Sequence, residues 1–138
     1  MTTVRTVTTK LLVLILVAAF QLPLSASAAG EISQRELLQR LDMNEAPFIV
    51  DVRRADEFAA GHVPGAVNIP HSEIAAHLNE LRGQRDNEVV VYCESGRRAA
   101  IAQGLLEKAG FTRIRHLQGD MQSWRERGLP HEQANHPD

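Results

Sequence analysis

Short apolar runs rich in β-branched residues alternate along the chain with segments whose apolar positions recur at helical spacing. The runs predict buried strands at residues 48–52, 66–69, 88–93 and 113–117. The helical spacing predicts helices at residues 33–42, 55–60, 72–81 and 121–127. A further helix is predicted from the polar turn at 94–98 up to Gly110. The central runs are continuously apolar rather than alternating, which is typical of a parallel sheet covered on both faces. The pattern therefore predicts an α/β domain.

The N-terminal segment has the pattern of a secretory signal peptide. Arg5 and Lys10 precede an apolar run at residues 11–20, and the small-residue sequence Ala-Ser-Ala follows at 26–28. We expect cleavage directly after this sequence and export, most simply to a bacterial periplasm. The alternative is an uncleaved anchor, because residues 11–30 carry no charge over 20 positions. After cleavage, no stable association with a membrane is expected.

Length and charge set the domain organisation and exclude some partners. A chain of 138 residues holds one domain, which we place at residues 29–130, between the signal peptide at 1–28 and a flexible tail at 131–138. The formal charge of −2 gives no basis for binding nucleic acid. The single cysteine, Cys93, excludes an intramolecular disulfide. In an oxidising compartment, such an unpaired thiol is open to reaction with oxidants and disulfides.

Cys93 lies at the end of the strongest predicted strand, where ligands bind in open α/β sheets. A polar turn follows it into a helix, whose free N–H groups and dipole favour an anion. Gly96 allows the turn a sharp conformation, and Arg97 and Arg98 add positive charge that stabilises a thiolate. We therefore predict a nucleophilic, partly exposed thiolate at Cys93. The alternative is a small core cysteine that only fills space at the strand end.

Three segments of the chain form motifs in a fixed order. The first is Ile-Val-Asp-Val-Arg at 49–53, continued by Gly-His-Val-Pro-Gly-Ala-Val-Asn-Ile-Pro at 61–70. The second is the loop Cys-Glu-Ser-Gly-Arg-Arg at 93–98, and the third runs from Leu-Gln-Gly to Gly-Leu-Pro over 117–130. In this order and spacing, the motifs resemble those of single-domain rhodaneses, which are sulfurtransferase modules. The resemblance covers residues 32–130.

The resemblance implies a rhodanese-like α/β fold, with a central parallel sheet of about five strands and helices on both faces. It also implies that Cys93 cycles between a thiolate and a persulfide. Sulfur would come from a thiosulfate-like donor and pass to a thiophilic acceptor such as cyanide or a thiol protein. Backbone N–H groups of the loop can cradle the negative persulfide, and this chemistry requires no metal or organic cofactor. The residues expected to bind the substrate are those of the loop: Glu94, Ser95, Gly96, Arg97 and Arg98.

Two other functions of the same fold remain alternatives. Rhodanese-like phosphatases have a cysteine, five residues and then an arginine, whereas here Ala99 is at that position and Arg98 comes one step early. The shorter loop fits a sulfur atom better than a tetrahedral phosphate, so sulfur transfer is favoured. The second alternative is a non-catalytic module that carries persulfide sulfur or docks to a partner. A redox thiol is disfavoured because the chain has no resolving cysteine.

Two residues depart from the pattern of the family, Glu94 and Asp120, and two others, Asp51 and Arg53, are considered as supporting residues. Glu94 places a carboxylate beside an anionic donor, which is unfavourable unless the loop arginines neutralise it. Asp120 stands where the family often has a second glycine. Asp51 is expected either to support the site by pairing with a loop arginine, or to cap the next helix or form an ordinary surface ion pair. We expect Arg53 to be structural rather than substrate-binding.

The histidines are not predicted to bind a metal. His62 lies in a Gly-His-Val-Pro-Gly turn, and we expect its ring nitrogens to hold that turn rather than to act on Cys93. The other histidines form no pair at helical spacing that would favour a metal site. These are His71, His77, His116, His131 and His136.

Overall fold

The computed structural model describes residues 30–134. The expected signal peptide at 1–28 and the last four positions of the expected tail lie outside the described residues. Within 30–134, no helix combines the length and the apolar character needed to cross a membrane. The elements of this part of the chain are β1 (Glu31–Ile32), α1 (Gln34–Asp42), β2 (Phe48–Asp51), α2 (Ala55–Ala60), β3 (Val67–Asn68), α3 (Ile74–His77), a 3₁₀ helix (Glu80–Gln84), β4 (Val89–Tyr92), α4 (Arg97–Lys108), β5 (Ile114–Leu117) and α5 (Asp120–Glu126).

The strands form one parallel sheet in the order β1-β5-β4-β2-β3. β4 lies in the middle, with Tyr92 opposite Asp51 of β2 and Val91 opposite His116 of β5. All four residues of β4 are buried. The predicted parallel α/β sheet is therefore confirmed. Its carboxyl edge, where open α/β sheets bind ligands, carries Cys93 directly after the central strand.

Helices cover both faces of the sheet, as predicted. α3 and α4 cover one face through Ile74 and Leu106, and α1 and α5 cover the other through Leu37 and Trp124. All four residues are at most 1% exposed. Successive residues of a strand point to opposite faces, and Cys93 continues this alternation into the core beneath α4.

The strand β1 is not predicted by the apolar pattern. It has only two residues, Glu31 and Ile32, so it is too short to show a strand period. It nevertheless extends the sheet, because it pairs in parallel with β5 and buries Ile32 completely. Its place at the edge is fixed by the neighbouring strand rather than by its own sequence.

The single helix predicted at 72–81 is wrong, because the chain forms α3 and a separate 3₁₀ helix there. Ser72 does not cap a helix. It lies in a turn in which the Glu73 N–H donates to the carbonyl of Pro70 at 2.7 Å. This turn delays the helix start by two residues, and the tighter i→i+3 bonding of the following segment ends the α-helical geometry after one turn.

The chain beyond the expected domain boundary packs against the domain as far as it is described. His62 and Glu132 exchange two backbone hydrogen bonds of 2.9 Å, and the Ala134 N–H donates to the carbonyl of Ala59 at 3.3 Å. The His62 Nδ1 atom lies 2.9 Å from the Phe58 carbonyl oxygen, and the two rings stack 3.6 Å apart. These contacts hold the turn that His62 was expected to hold. They also order a segment that the sequence assigned to the tail.

Candidate active site

Cys93 directly follows β4 and opens the turn that leads into α4. Gly96 has a left-handed φ of 98°, and its N–H donates a hydrogen bond to the Cys93 Sγ atom at 3.1 Å. This amide stands at the N-terminus of a 12-residue helix, where the helix dipole adds a partial positive charge. A hydrogen bond of this kind is stronger when the acceptor is charged. The turn therefore forms a binding site for a negatively charged sulfur.

The structure corrects the expectation that Cys93 is partly exposed, because the residue is only 1% exposed. Its apolar cluster includes Val50, Val52 and Ala99. The cause is the alternation of β4, which directs the side chain into the core under α4. The thiol thus combines the surroundings of a core cysteine with a backbone N–H donor on its sulfur.

Of the two arginines in the loop, Arg98 is the one brought to Cys93. Its guanidinium donates hydrogen bonds of 2.7 and 2.9 Å to the two carboxylate oxygens of Glu57. These bonds hold the pKa of Arg98 above its usual value, and the neighbouring Cys93 sulfur adds to the effect. The same bonds lower the pKa of Glu57 to about 2. Arg97 and Ser95, the other two polar side chains expected to bind substrate with Glu94 and Arg98, are exposed.

Glu94 is neutralised by Arg125 and Arg53 rather than by the two arginines of its own loop. Arg125 of α5 donates to both of its carboxylate oxygens, one of them at 3.0 Å. The Arg53 Nη1 atom lies 3.6 Å from Glu94 Oε2. These contacts, those of Arg125 first, lower the pKa of Glu94. The expected compensation is present, but it comes from α5 and from the segment after β2 instead of from the loop arginines.

A cavity of about 340 Å³ lies next to these ion pairs. Both carboxylates that hold arginines at the site, Glu57 and Glu94, contribute to its wall, whereas Cys93 does not. Glu57 therefore belongs both to the wall of the cavity and to the ion pair with Arg98, the loop arginine that acts on Cys93. The lining residues are Arg53, Glu57, Ala60, Gly61, Glu94, Met121, Arg125 and His131.

Asp51 and Arg53 form a buried ion pair below the cavity, with Asp51 fully buried and Arg53 2% exposed. The Arg53 Nε atom donates to Asp51 Oδ1 at 3.0 Å and Nη2 donates to Oδ2 at 2.7 Å. Nη2 also donates to the Gly61 carbonyl at 2.7 Å. Asp51 therefore neither pairs with a loop arginine nor caps a helix, since Arg54 is the N-cap of α2. The structural role expected for Arg53 is present, and its Nη1 also reaches the site through Glu94.

Asp120 and His116 lie under the cysteine turn and were missed as site residues. Asp120 has a left-handed φ of 51° and is 5% exposed. Its Oδ1 accepts the Cys93 backbone N–H at 2.8 Å, and His116 Nε2 lies 2.9 and 3.0 Å from its two carboxylate oxygens. The one signal in the sequence was the replacement of a family glycine by Asp120. Nothing in the spacing of His116 pointed to a carboxylate partner across a turn.

A parallel α/β sheet with a cysteine after its central strand, and with an amide aimed at the sulfur, defines a class of thiol-dependent α/β domain. Residues 33–127 match the sequence model of the rhodanese-like domain family. The chain belongs to the rhodanese-like domain family, as the motifs predicted.

Relatives and solved structures agree with this assignment. The sulfurtransferase of Allochromatium vinosum is 36% identical over 101 residues, which cover 73% of this chain and 92% of that protein. The putative sulfur carrier protein YrkF of Bacillus subtilis is 35% identical over 100 residues, which cover 72% of this chain but only 53% of YrkF. The structure of the human single-domain sulfurtransferase TSTD1 has 31% identity and a TM-score of 0.63, and the match covers 71% of this chain and 96% of that one.

Replacing Gly96 with alanine is expected to destabilise the fold more than the same change at Gly65. Both glycines have left-handed φ, so both variants carry a conformational cost of about 1–2 kcal/mol. A Cβ at Gly96 would also lie 3.2 Å from Asp120 Oδ2 and 3.3 Å from His116 Cε1, whereas one at Gly65 meets nothing within 4 Å. Urea unfolding measures the difference. Equal losses of unfolding free energy would contradict close packing of the His116–Asp120 pair against the turn.

Asp51→Asn is expected to lower the free energy of unfolding by about 3–5 kcal/mol, because it leaves the Arg53 guanidinium buried without its charged partner. Asp56→Asn is the matched control, since it removes the carboxylate partner of the exposed Arg54. That variant should unfold at the wild-type denaturant concentration. Chemical denaturation followed by circular dichroism compares the two, and similar small losses in both would show that the buried pair is not required.

Proposed function

We propose that this protein is a sulfurtransferase that moves a sulfane sulfur through a persulfide on Cys93. The donor is a thiosulfate-like anion, and the acceptor is a thiophile such as cyanide or a thiol protein. The observation that carries the proposal is the Gly96 N–H, which donates to the Cys93 sulfur at 3.1 Å from the N-terminus of α4. Similarity to the A. vinosum sulfurtransferase and to human TSTD1 supports the same class of reaction.

The reaction divides into two displacements at sulfur. In the first, the Cys93 thiolate attacks the outer sulfur of thiosulfate; a new S–S bond forms, the S–S bond of thiosulfate breaks, and sulfite leaves with its electron pair. In the second, the carbon of cyanide attacks the terminal sulfur of the persulfide. The persulfide S–S bond breaks, its electron pair returns to Cys93 Sγ, and thiocyanate is released. Neither step needs an external oxidant or reductant.

The turn supports this chemistry by accommodating one extra negative charge at the sulfur. Gly96 supplies a fixed N–H donor, which needs no rearrangement as the charge develops. Arg98 adds positive charge beside Cys93, balanced by Glu57. Glu94 would repel an anionic donor if it stood alone. Its ion pair with Arg125 removes most of that repulsion.

Thiocyanate formation from thiosulfate and cyanide tests the proposed function. The wild-type protein should turn over, and Cys93→Ser should form no thiocyanate because it lacks the thiolate that attacks the outer sulfur of thiosulfate. Intact mass spectrometry after treatment with thiosulfate alone should show a gain of about 32 Da, one sulfur atom, in the wild type and none in the variant. Turnover by Cys93→Ser at the wild-type rate would refute the role of Cys93.

A sulfur carrier is the second candidate, and the similarity to the putative sulfur carrier protein YrkF, in a match that covers 53% of YrkF, supports it. The two functions differ in a measurable respect. A persulfide that forms and persists on Cys93 in excess cyanide, but transfers to a thiol protein such as reduced thioredoxin, would favour the carrier over the enzyme.

We also propose that the protein is exported and that the mature chain begins at Ala29. The basic start, the apolar run and the Ala-Ser-Ala sequence of the N-terminal segment support this proposal. Expression of the full chain in a Gram-negative bacterium, followed by fractionation and N-terminal sequencing, should give a periplasmic protein that starts at Ala29. Recovery of a chain with Arg5 and Lys10 in the membrane fraction would instead establish an uncleaved anchor.

A further inference from the structure

Asp120 is a buried carboxylate in a backbone conformation that disfavours a side chain. Its φ of 51° follows a φ of 74° at Gly119, and the residue is 5% exposed. Asp and Asn tolerate the left-handed region better than other residues with a side chain, but they still bear a cost there. A charged group in such a place must have strong partners, and Asp120 has two. Its Oδ1 accepts the Cys93 N–H at 2.8 Å, and both oxygens contact His116 Nε2.

The pair contacts both ends of the turn that presents the sulfur. At one end, Asp120 accepts the N–H of Cys93 itself. At the other end, Asp120 Oδ2 and His116 Cε1 lie 3.2 and 3.3 Å from the Cβ position of Gly96, whose N–H donates to Sγ. The pair is therefore bonded, through Asp120, to the residue that carries the sulfur, and it lies close beside the residue whose N–H binds the sulfur.

We propose that His116 and Asp120 act together as a positioning pair for Cys93, and that loss of the His116 proton weakens sulfur transfer from an anionic donor. This inference rests on the proposed persulfide chemistry. Neither residue touches the sulfur, so both act through the backbone of the turn.

The charge of the pair gives the expected direction of the pH effect. The hydrogen bond to Asp120 raises the pKa of His116, against an opposing effect of burial, and the carboxylates of Asp120 and Glu31 add to the rise. The charged groups that act on His116 in the described part of the chain are Asp120 from α5 and Glu31, its neighbour on β1. The imidazolium therefore persists above its ordinary range and balances Asp120. When pH rises through the raised pKa of His116, the imidazolium loses its proton and the negative charge of Asp120 is left uncompensated beside Cys93. This charge disfavours a second negative charge on the Cys93 sulfur or on the anionic donor.

Asp120→Asn removes the charge and keeps the geometry, because Asn tolerates left-handed φ and its amide oxygen can still accept the Cys93 N–H. We expect its kcat/KM for thiosulfate to stay within about threefold of wild type near pH 6 and to lack the decline at high pH. Asp120→Gly relieves the backbone but leaves the Cys93 N–H without its acceptor. That variant should lose about tenfold in kcat at every pH.

His116→Gln leaves Asp120 as an uncompensated carboxylate. The kcat/KM of this variant for thiosulfate should be about tenfold lower than the wild-type value near pH 6, and it should not decline further at high pH. His77→Gln is the matched control. His77 also pairs with a carboxylate, that of Glu80 at 2.8 Å, but His77 lies on α3 and is not part of the cysteine turn. The control should keep the wild-type pH profile.

Alkylation of Cys93 by iodoacetamide, measured against pH in the same variants, gives a readout that does not depend on sulfur transfer. The variants of the pair should shift this profile, and His77→Gln should not. If the wild type forms no persulfide while the alkylation profiles shift, the proposed function fails and the positioning role stands. If persulfide forms normally but Asp120→Asn and His116→Gln match the wild type in both profiles, the positioning pair is overturned and the proposed function stands.

Discussion

The position of one sulfur atom depends on three hydrogen bonds that engage every polar atom of Cys93. Its N–H donates to Asp120 Oδ1 at 2.8 Å, its carbonyl accepts the Met121 N–H at 2.9 Å, and its sulfur accepts the Gly96 N–H at 3.1 Å. Two of these partners lie at the start of α5 and one lies at the start of α4. The residue is thus fixed between two helix N-termini, and its geometry is set before a substrate arrives.

The fold and the centre of the site could be predicted because their signals are local in the sequence. The continuous apolar runs identify β2 and β4 as buried strands, since a strand covered on both faces has no polar side to alternate with. The turn after Cys93 is equally local: Gly96 marks the left-handed position and the following residues mark the helix start. The sequence failed where the local signal was absent, as in the two-residue β1 and the turn around Ser72.

The charges around the site could not be assigned from the sequence, because their partners come from elements that meet only in the folded chain. Glu94 pairs with Arg125, 31 positions away, although the adjacent arginines seemed the natural partners. Those arginines are separated from Glu94 by the helix geometry of α4, which directs Arg98 toward Glu57 instead. The burial of the Cys93 sulfur also depends on elements that meet only in the folded chain, because α4 covers the face of β4 to which the sulfur points.

Aspartate at position 120, where the family often has glycine, has two opposing effects on the free energy of unfolding. A left-handed side chain costs about 1–2 kcal/mol, and a hydrogen bond to a charged acceptor contributes about 1.5–3 kcal/mol, so the two effects nearly cancel in stability. With glycine, the backbone would be relaxed but the Cys93 N–H would lose the acceptor that it has in Asp120. The carboxylate requires a cation in turn, and His116 meets that need only while it is protonated. The substitution therefore gains little stability, and its main effect is to tie the orientation of the nucleophile to a titratable group.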